Sequence, residues 1–226
     1  MFARRSLMVF ALALSVARCA DQPTAVQAAA GPQLLRWADA PQFTAGADVH
    51  ADRSGTIAQT PPLSLNTYAV SFWAVRGQSR SVQINYKSTF STTHPFMTLT
   101  VTDPKYAPGL GNFGMRDSVL ITVTVDTSDI GVSLAPSGLI FGDPAQLKIW
   151  YDGAGGDFNG DGVVDSTDAA IEARLLGLWY RADLGKPWSK VGATQSLAEK
   201  SFTYAMPHFC DYAVAAAGLL EWAVAY

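Results

Sequence analysis

Cysteine and histidine are scarce in this chain, two of the one and three of the other in 226 residues. Cys19 falls at the end of a leader-like N-terminus, so Cys210 has no obvious disulfide partner and reads as a small buried hydrophobe. His50, His94 and His208 are scattered along the chain, which leaves a zinc cluster unsupported. Charged residues make up only 15%, with a formal charge of -3. There is no basic run, which argues against nucleic acid as a partner. The apolar run at residues 7–16 is too short to span a bilayer. Gly109, Gly111 and Gly114 lack the lysine and following helix of a phosphate loop. No nucleophile elbow and no repeat period is found.

What is present at the N-terminus is Arg4 and Arg5, then the apolar run, then small residues before Arg18. That is the layout of a secretory signal over residues 1–18, so the protein is expected to be exported: secreted, periplasmic or held at the cell envelope. Cys19 is a candidate for lipidation, which would make the protein a lipoprotein touching the membrane only through that anchor. Arg18 stands where a small residue is expected before such a cysteine. Residues 19–33 are small, polar and proline-bearing, and read as a flexible tether.

From there to residue 217 the pattern is one of short strands punctuated by Gly and Pro. Strands are expected at residues 68–75 and 81–86, joined as a hairpin, and at 96–101, with a long loop over 104–114. Residues 118–126 alternate most strongly, and 132–134, 139–141, 147–151, 178–181, 188–191, 200–206 and 211–216 follow. A helical period occurs once, over residues 166–176, with Gly177 as its expected stop. This is mainly β: an antiparallel β-sandwich carrying an inserted loop and one short helix at 152–177, with an apolar tail at 218–226.

The acidic run begins at Asp157. Counted from there, Asp157, Asn159, Asp161, Asp165 and Asp168 occupy positions 1, 3, 5, 9 and 12. Val163 offers a backbone carbonyl at position 7, and Gly162 allows a sharp turn at position 6. This is the spacing of a calcium loop, because a hard cation takes about six to eight oxygens and these positions converge on a tightly wound loop. Ca2+ is therefore the expected ligand. Val164 at position 8 is expected to pack beneath the loop as an apolar anchor. A plainer reading is a polar turn in which Asp165 and Asp168 only cap the helix.

Residues 157–176 resemble the calcium repeat of dockerins, bacterial modules that dock into cohesins. Asp168 stands where Glu is commoner, and glycines precede the loop in place of an entering helix. Dockerins carry two such repeats and this chain carries one, which favours a structural calcium clip over cohesin docking. Pro136, Gly138, Leu139, Phe141, Pro144, Leu147 and Tyr151, with His208, Phe209 and Tyr212, resemble the β-sandwich domain shared by zona occludens proteins, netrin receptors and ankyrins, found also in bacterial exported proteins. That resemblance implies a non-catalytic protein-interaction or structural module. The expected partner is an unknown protein or a cell-surface glycan. Some members cleave themselves within a His-Phe-Ser triplet. Here the triplet is His208-Phe209-Cys210, so a self-cleaving module splitting at Phe209-Cys210 with His208 as base is the first alternative. A carbohydrate-binding domain using Trp73, Trp150, Trp179 and Trp188 is the second.

Overall fold

Apolar residues at every second position give each strand one buried side, and two sheets of such strands pack these sides together. The computed structural model describes residues 31–48, 68–87 and 92–218. The leader, most of the tether, Cys19, His50 and nearly all of the tail lie outside these residues.

In chain order the strands are β1 (Gln33–Leu34), β2 (Gln42–Asp48), β3 (Ala69–Val75), β4 (Arg80–Lys87), β5 (Thr93–Val101), β6 (Pro104–Ala107), β7 (Gly111–Asn112), β8 (Ser118–Val125), β9 (Gly131–Ala135) and β10 (Ile140–Trp150). The helix α1 (Ser166–Arg174) follows, then β11 (Leu176–Arg181), β12 (Ser189–Lys190), β13 (Thr194–Ser196), β14 (Ser201–His208) and β15 (Asp211–Ala216). One sheet runs β12-β11-β15-β9-β8-β3, with β1 also paired to β15. The other runs β13-β14-β10-β5-β4-β2, with β6 on β10 and β7 on β6. All pairings are antiparallel, and the fold is a β-sandwich as expected.

The inner faces are legible in the alternation. Val119, Ile121, Val123 and Val125 of β8 point inward, facing a core that includes Val82 and Ile84 of β4 and Leu147 and Ile149 of β10. Among the described residues Cys210 is the free cysteine, and it is buried.

Four local expectations are corrected. β3 and β4 are not a hairpin: β3 pairs with β8, and β4 with β2 and β5. The connection changes sheets at one peptide, since Arg76 N–H donates to Asp117 O and Gly77 N–H to Thr102 O. Gly77 makes the switch at φ 83, a region costly to a side chain. The loop over 104–114 holds the small β6–β7 pair. The strands expected at 139–141 and 147–151 are one strand, β10, whose irregular register between Ile140 and Ala145 accommodates Pro144. Gly177 does not stop the helix: α1 ends at its cap Leu175, and Gly177 lies buried within β11, where Lys190 packs so close that a Cβ would clash.

Candidate metal centre

The acidic loop is part of the connection that carries the chain from one sheet to the other. β10 ends in the eight-stranded sheet, and β11 begins in the seven-stranded one. Between them lie a single 3-10 turn (Asp152–Ala154), the glycines Gly155 and Gly156 at φ 77 and 96, the loop, and α1.

Within the loop each acidic side chain is turned onto backbone N–H groups. Asp157 accepts from Gly160 N at 2.7 Å and from Gly162 N at 2.9 Å. Asn159 Oδ1 accepts from Asp161 N at 2.9 Å, and Asp161 Oδ1 from Val163 N at 2.8 Å. Asn159 Nδ2 also donates to Asp161 Oδ2 at 2.9 Å. The chain winds around Asp157 because Gly160 and Gly162 take φ 76 and 86. Nothing lies within 4 Å of a Cβ placed on either, so glycine is needed there for backbone conformation and not for space.

Asp168 is the closing member. Its Oδ1 accepts from Phe158 N at 2.7 Å and Asn159 N at 3.1 Å, and its Oδ2 from Asp165 N at 2.9 Å. It is 1% exposed. The Asp165 N–H, joined by those of Phe158 and Asn159, holds its carboxyl below the usual range against the opposing effect of burial. Asp165 Oδ1 accepts from Thr167 N at 2.7 Å, and Asp165 and Asp168 together form a capping box at the start of α1. The plainer expectation for these two residues is therefore met in the geometry, and Asp168 additionally ties the first turn of the loop to the helix.

All these donors are oxygens, the chemistry a hard cation selects. Asp157, Asn159, Asp161 and Asp165 use lone pairs on N–H groups and, as oxygens with two acceptor sites each, keep further capacity. They are not drawn to one point: among the described residues no three His, Cys, Asp or Glu side chains come together as a metal-holding group. The donor set fits calcium by type and order. Convergence on an ion would require these side chains to turn inward.

The anchor of the loop is Phe158 at position 2, 6% exposed, with its ring against Tyr151 at 6.4 Å between centroids. Val164, the expected anchor, is 65% exposed. The alternation that put Val164 beneath the loop counts positions and not the direction of the winding. Two further side chains fasten the insert. Lys200 Nζ pairs with Glu172 Oε1 at 3.1 Å and lies 5.9 Å from the Phe158 ring centre. Gln195 Nε2 donates to Tyr151 OH at 3.1 Å and to Glu172 O at 2.9 Å. Burial pushes Tyr151 up to about 12, so its phenol stays protonated. Ile171 and Leu175 of α1 pack on the core, whereas Ala170 and Arg174 are exposed. Sequence reasoning missed Phe158, Gln195 and Lys200; the aromatic two places after the glycines was the one available signal.

The His208-Phe209-Cys210 triplet joins β14 to β15. Cys210 Sγ lies 3.2 Å from His208 Nδ1, and Gly138 N–H donates to Phe209 O at 3.0 Å. Tyr212 OH donates to His208 O at 2.9 Å. Burial pushes the Cys210 thiol up to about 11. The four tryptophans do not share a surface. Trp150 is in the eight-stranded sheet, Trp179 is buried, Trp188 lies under Arg181 at 4.7 Å, and Trp73 is 57% exposed at the far edge of the seven-stranded sheet.

Among the described residues no helix is long and apolar enough to cross a membrane. Comparison with protein-family models, with curated proteins and with solved structures returns no match.

Proposed function

We propose that the chain is an exported calcium-binding β-sandwich, a non-catalytic interaction or structural module in which Ca2+ stiffens the crossover between the sheets. The observation that carries this reading is the loop itself. Oxygen side chains stand at positions 1, 3, 5, 9 and 12, with a left-handed glycine at position 6. Asp157, Asn159, Asp161, the Val163 carbonyl, Asp165 and Asp168 would hold the ion. Bound calcium would neutralise the repulsion among the four carboxylates and order the exposed arc 159–165.

Seating by Phe158 favours a scaffolding role over docking. The loop is fixed to the sandwich on one side, and α1 turns two apolar residues onto the core. The partner is an unidentified protein or a cell-surface glycan, and export rests on the leader.

Calorimetric titration of the mature chain with CaCl2, with thermal melts in calcium and in EGTA, tests the reading. Binding heat and a Tm that falls on chelation are expected. No heat and an unchanged Tm would remove calcium from the account.

The 3.2 Å contact of Cys210 with His208 favours one second reading, self-cleavage at Phe209-Cys210. Against it stands a thiol that burial keeps protonated. Mass spectrometry of the aged protein decides: fragments ending at Phe209 and lost in Cys210→Ala support cleavage, and an intact chain removes it.

A further inference from the structure

A shallow recess of 160 Å³ lies on the outer face of the seven-stranded sheet. Trp188, Arg181, Asp211 and Ser133 line it, together with Gly131, Ala213 and the turn that carries Asp126 and Asp129. We infer that this recess binds a neutral glycan. The inference gives the proposed module its partner; it rests on the non-catalytic part of that reading and not on calcium.

Strand register builds the recess. Tyr212 and Val214 of β15 enter the core, so Asp211 and Ala213 face outward. Asp211 pairs with Arg181 of β11 on one side and with Ser133 of β9 on the other. Trp188 stands just before β12, with its ring centre 4.7 Å from the Arg181 guanidinium carbon. Neighbouring strands thus set Trp188, Arg181, Asp211 and Ser133 in one row across the sheet. At the usual strand spacing that row is about 14 Å long. The adjoining pair is Ala213 and Gly131. A Cβ on Gly131 would lie 3.2 Å from the Ala213 Cβ, so these two residues sit low and form an open floor beside the row.

The polar groups are held in place and still have capacity. Arg181 Nε and Nη2 donate to Asp211 at 3.2 and 2.8 Å. Both bonds fall on Oδ2, and the Asp211 side chain, 20% exposed, keeps Oδ1 for a further donor. Asp126 Oδ1 accepts from Ser128 N–H at 2.8 Å and from Asp129 N–H at 3.1 Å, which fixes the turn and leaves Oδ2. Asp129 is half-buried, and burial, then the Asp126 charge, raise its carboxyl above the usual range, with Arg36 opposing. A carboxylate in that setting gains from a ligand donor. Ser133 is exposed and adds a hydroxyl. The recess therefore offers more acceptors than donors, and hydroxyl groups of a ligand would supply the missing donors.

Two observations decide the class of ligand. The carboxylates are spread along the recess, since among the described residues no three acidic side chains come together as a metal-holding group. β11, β15 and β9 each have a partner strand on both sides, so the backbone offers no edge to an added peptide strand. A polyhydroxylated chain suits both conditions. Its spaced hydroxyls can donate along the row, and the apolar face of a sugar ring can rest on Trp188. Arg181 is the one Lys or Arg lining the recess, against Asp126, Asp129 and Asp211. The negative excess repels carboxylated or sulfated sugars, which makes the glycan neutral.

The test is affinity electrophoresis of the full mature chain through gels holding galactomannan, mixed-linkage β-glucan, arabinoxylan or dextran, with alginate as the acidic control. Retardation by at least one neutral polymer and none by alginate is expected. Trp188→Ala and Asp129→Ala should each weaken that binding about tenfold, through loss of a stacking surface and of a charge-assisted hydrogen bond respectively. Trp73→Ala, at the far edge of the same sheet, should leave it unchanged. Runs in CaCl2 and in EGTA keep this inference separate from the calcium reading. Equal retardation in both is expected, because no residue of the acidic loop lines the recess. If Trp188→Ala fails to fold, Asp129→Ala decides. No retardation by any neutral polymer, retardation by alginate as strong, loss of retardation in EGTA while the chain stays folded, equal weakening in Trp73→Ala, or binding unchanged in a folded Trp188→Ala or Asp129→Ala variant would overturn the assignment.

Discussion

Replacing Phe158 with alanine tests whether the acidic loop is seated on the sandwich. The ring is 6% exposed and meets Tyr151 edge to face, with the Lys200 ammonium nearby. Removing a buried phenyl ring forfeits about 2–3 kcal/mol of transfer free energy, to which a cavity contribution is added. Because Phe158 lies at the seam between insert and sheet, part of the cavity can collapse, and the total is about 3 kcal/mol, at the low end for Phe→Ala. For a domain of this size that lowers Tm by about 6–12 °C. Phe158→Leu retains most of the apolar contact and should lose only about 1 kcal/mol. Urea unfolding followed by tryptophan fluorescence reads both variants. Calcium affinity should fall in Phe158→Ala, because the ion must then order an unseated loop. If Phe158→Ala unfolds within about 0.5 kcal/mol of the parent, the ordinary range of a surface substitution, the seating argument fails.

Three further outcomes follow from single groups. Asp168 has a carboxyl lowered from 3.8 in the folded chain, so the stability it supplies is complete above that value and fades as acid protonates it. The Tm gap between the parent and Asp168→Asn should therefore be widest near neutrality and narrow below about pH 4; a gap independent of pH would contradict this. Cys210 is 3% exposed, and its thiol is raised to about 11, so iodoacetamide at pH 8 should label it only through unfolding. The same shift has the opposite pH sense from Asp168: its stabilising share is full below 9.0 and lost toward 11, and rapid labelling of the native protein would refute both statements. Arg116 sits at φ 73, and Arg116→Gly should raise the unfolding free energy by about 0.5–1 kcal/mol, read by urea midpoint.

The strands were legible wherever one side of the chain had to be buried. β8 and β15 stand almost where alternation and composition place them, because burial of one face leaves a period of two. Partnership was not legible. The residues 76–79 that link β3 to β4 look like a hairpin turn, and only packing decides that they carry the chain across to the other sheet. Gly177 reads as a helix stop because glycine favours that position, yet β11 claims it through pairing with Ala215. The oxygen spacing of the acidic loop is local and could be read residue by residue. Its fastening by Gln195 and Lys200 depends on residues far apart in the chain.

The placement of β15 has a consequence for the order in which the molecule can form. It is the last described strand, yet it sits inside its sheet, between β11 and β9, and it also receives β1 through Gln33 and Ala216. A growing chain that has not reached residue 216 leaves β9 and β11 with open edges and β1 with no partner. Folding of the seven-stranded sheet must therefore wait for nearly the whole domain, and with so many distant pairings it should take milliseconds to seconds. A truncated product that stops short of β15 would present two unpaired edges, the feature that leads chains to aggregate.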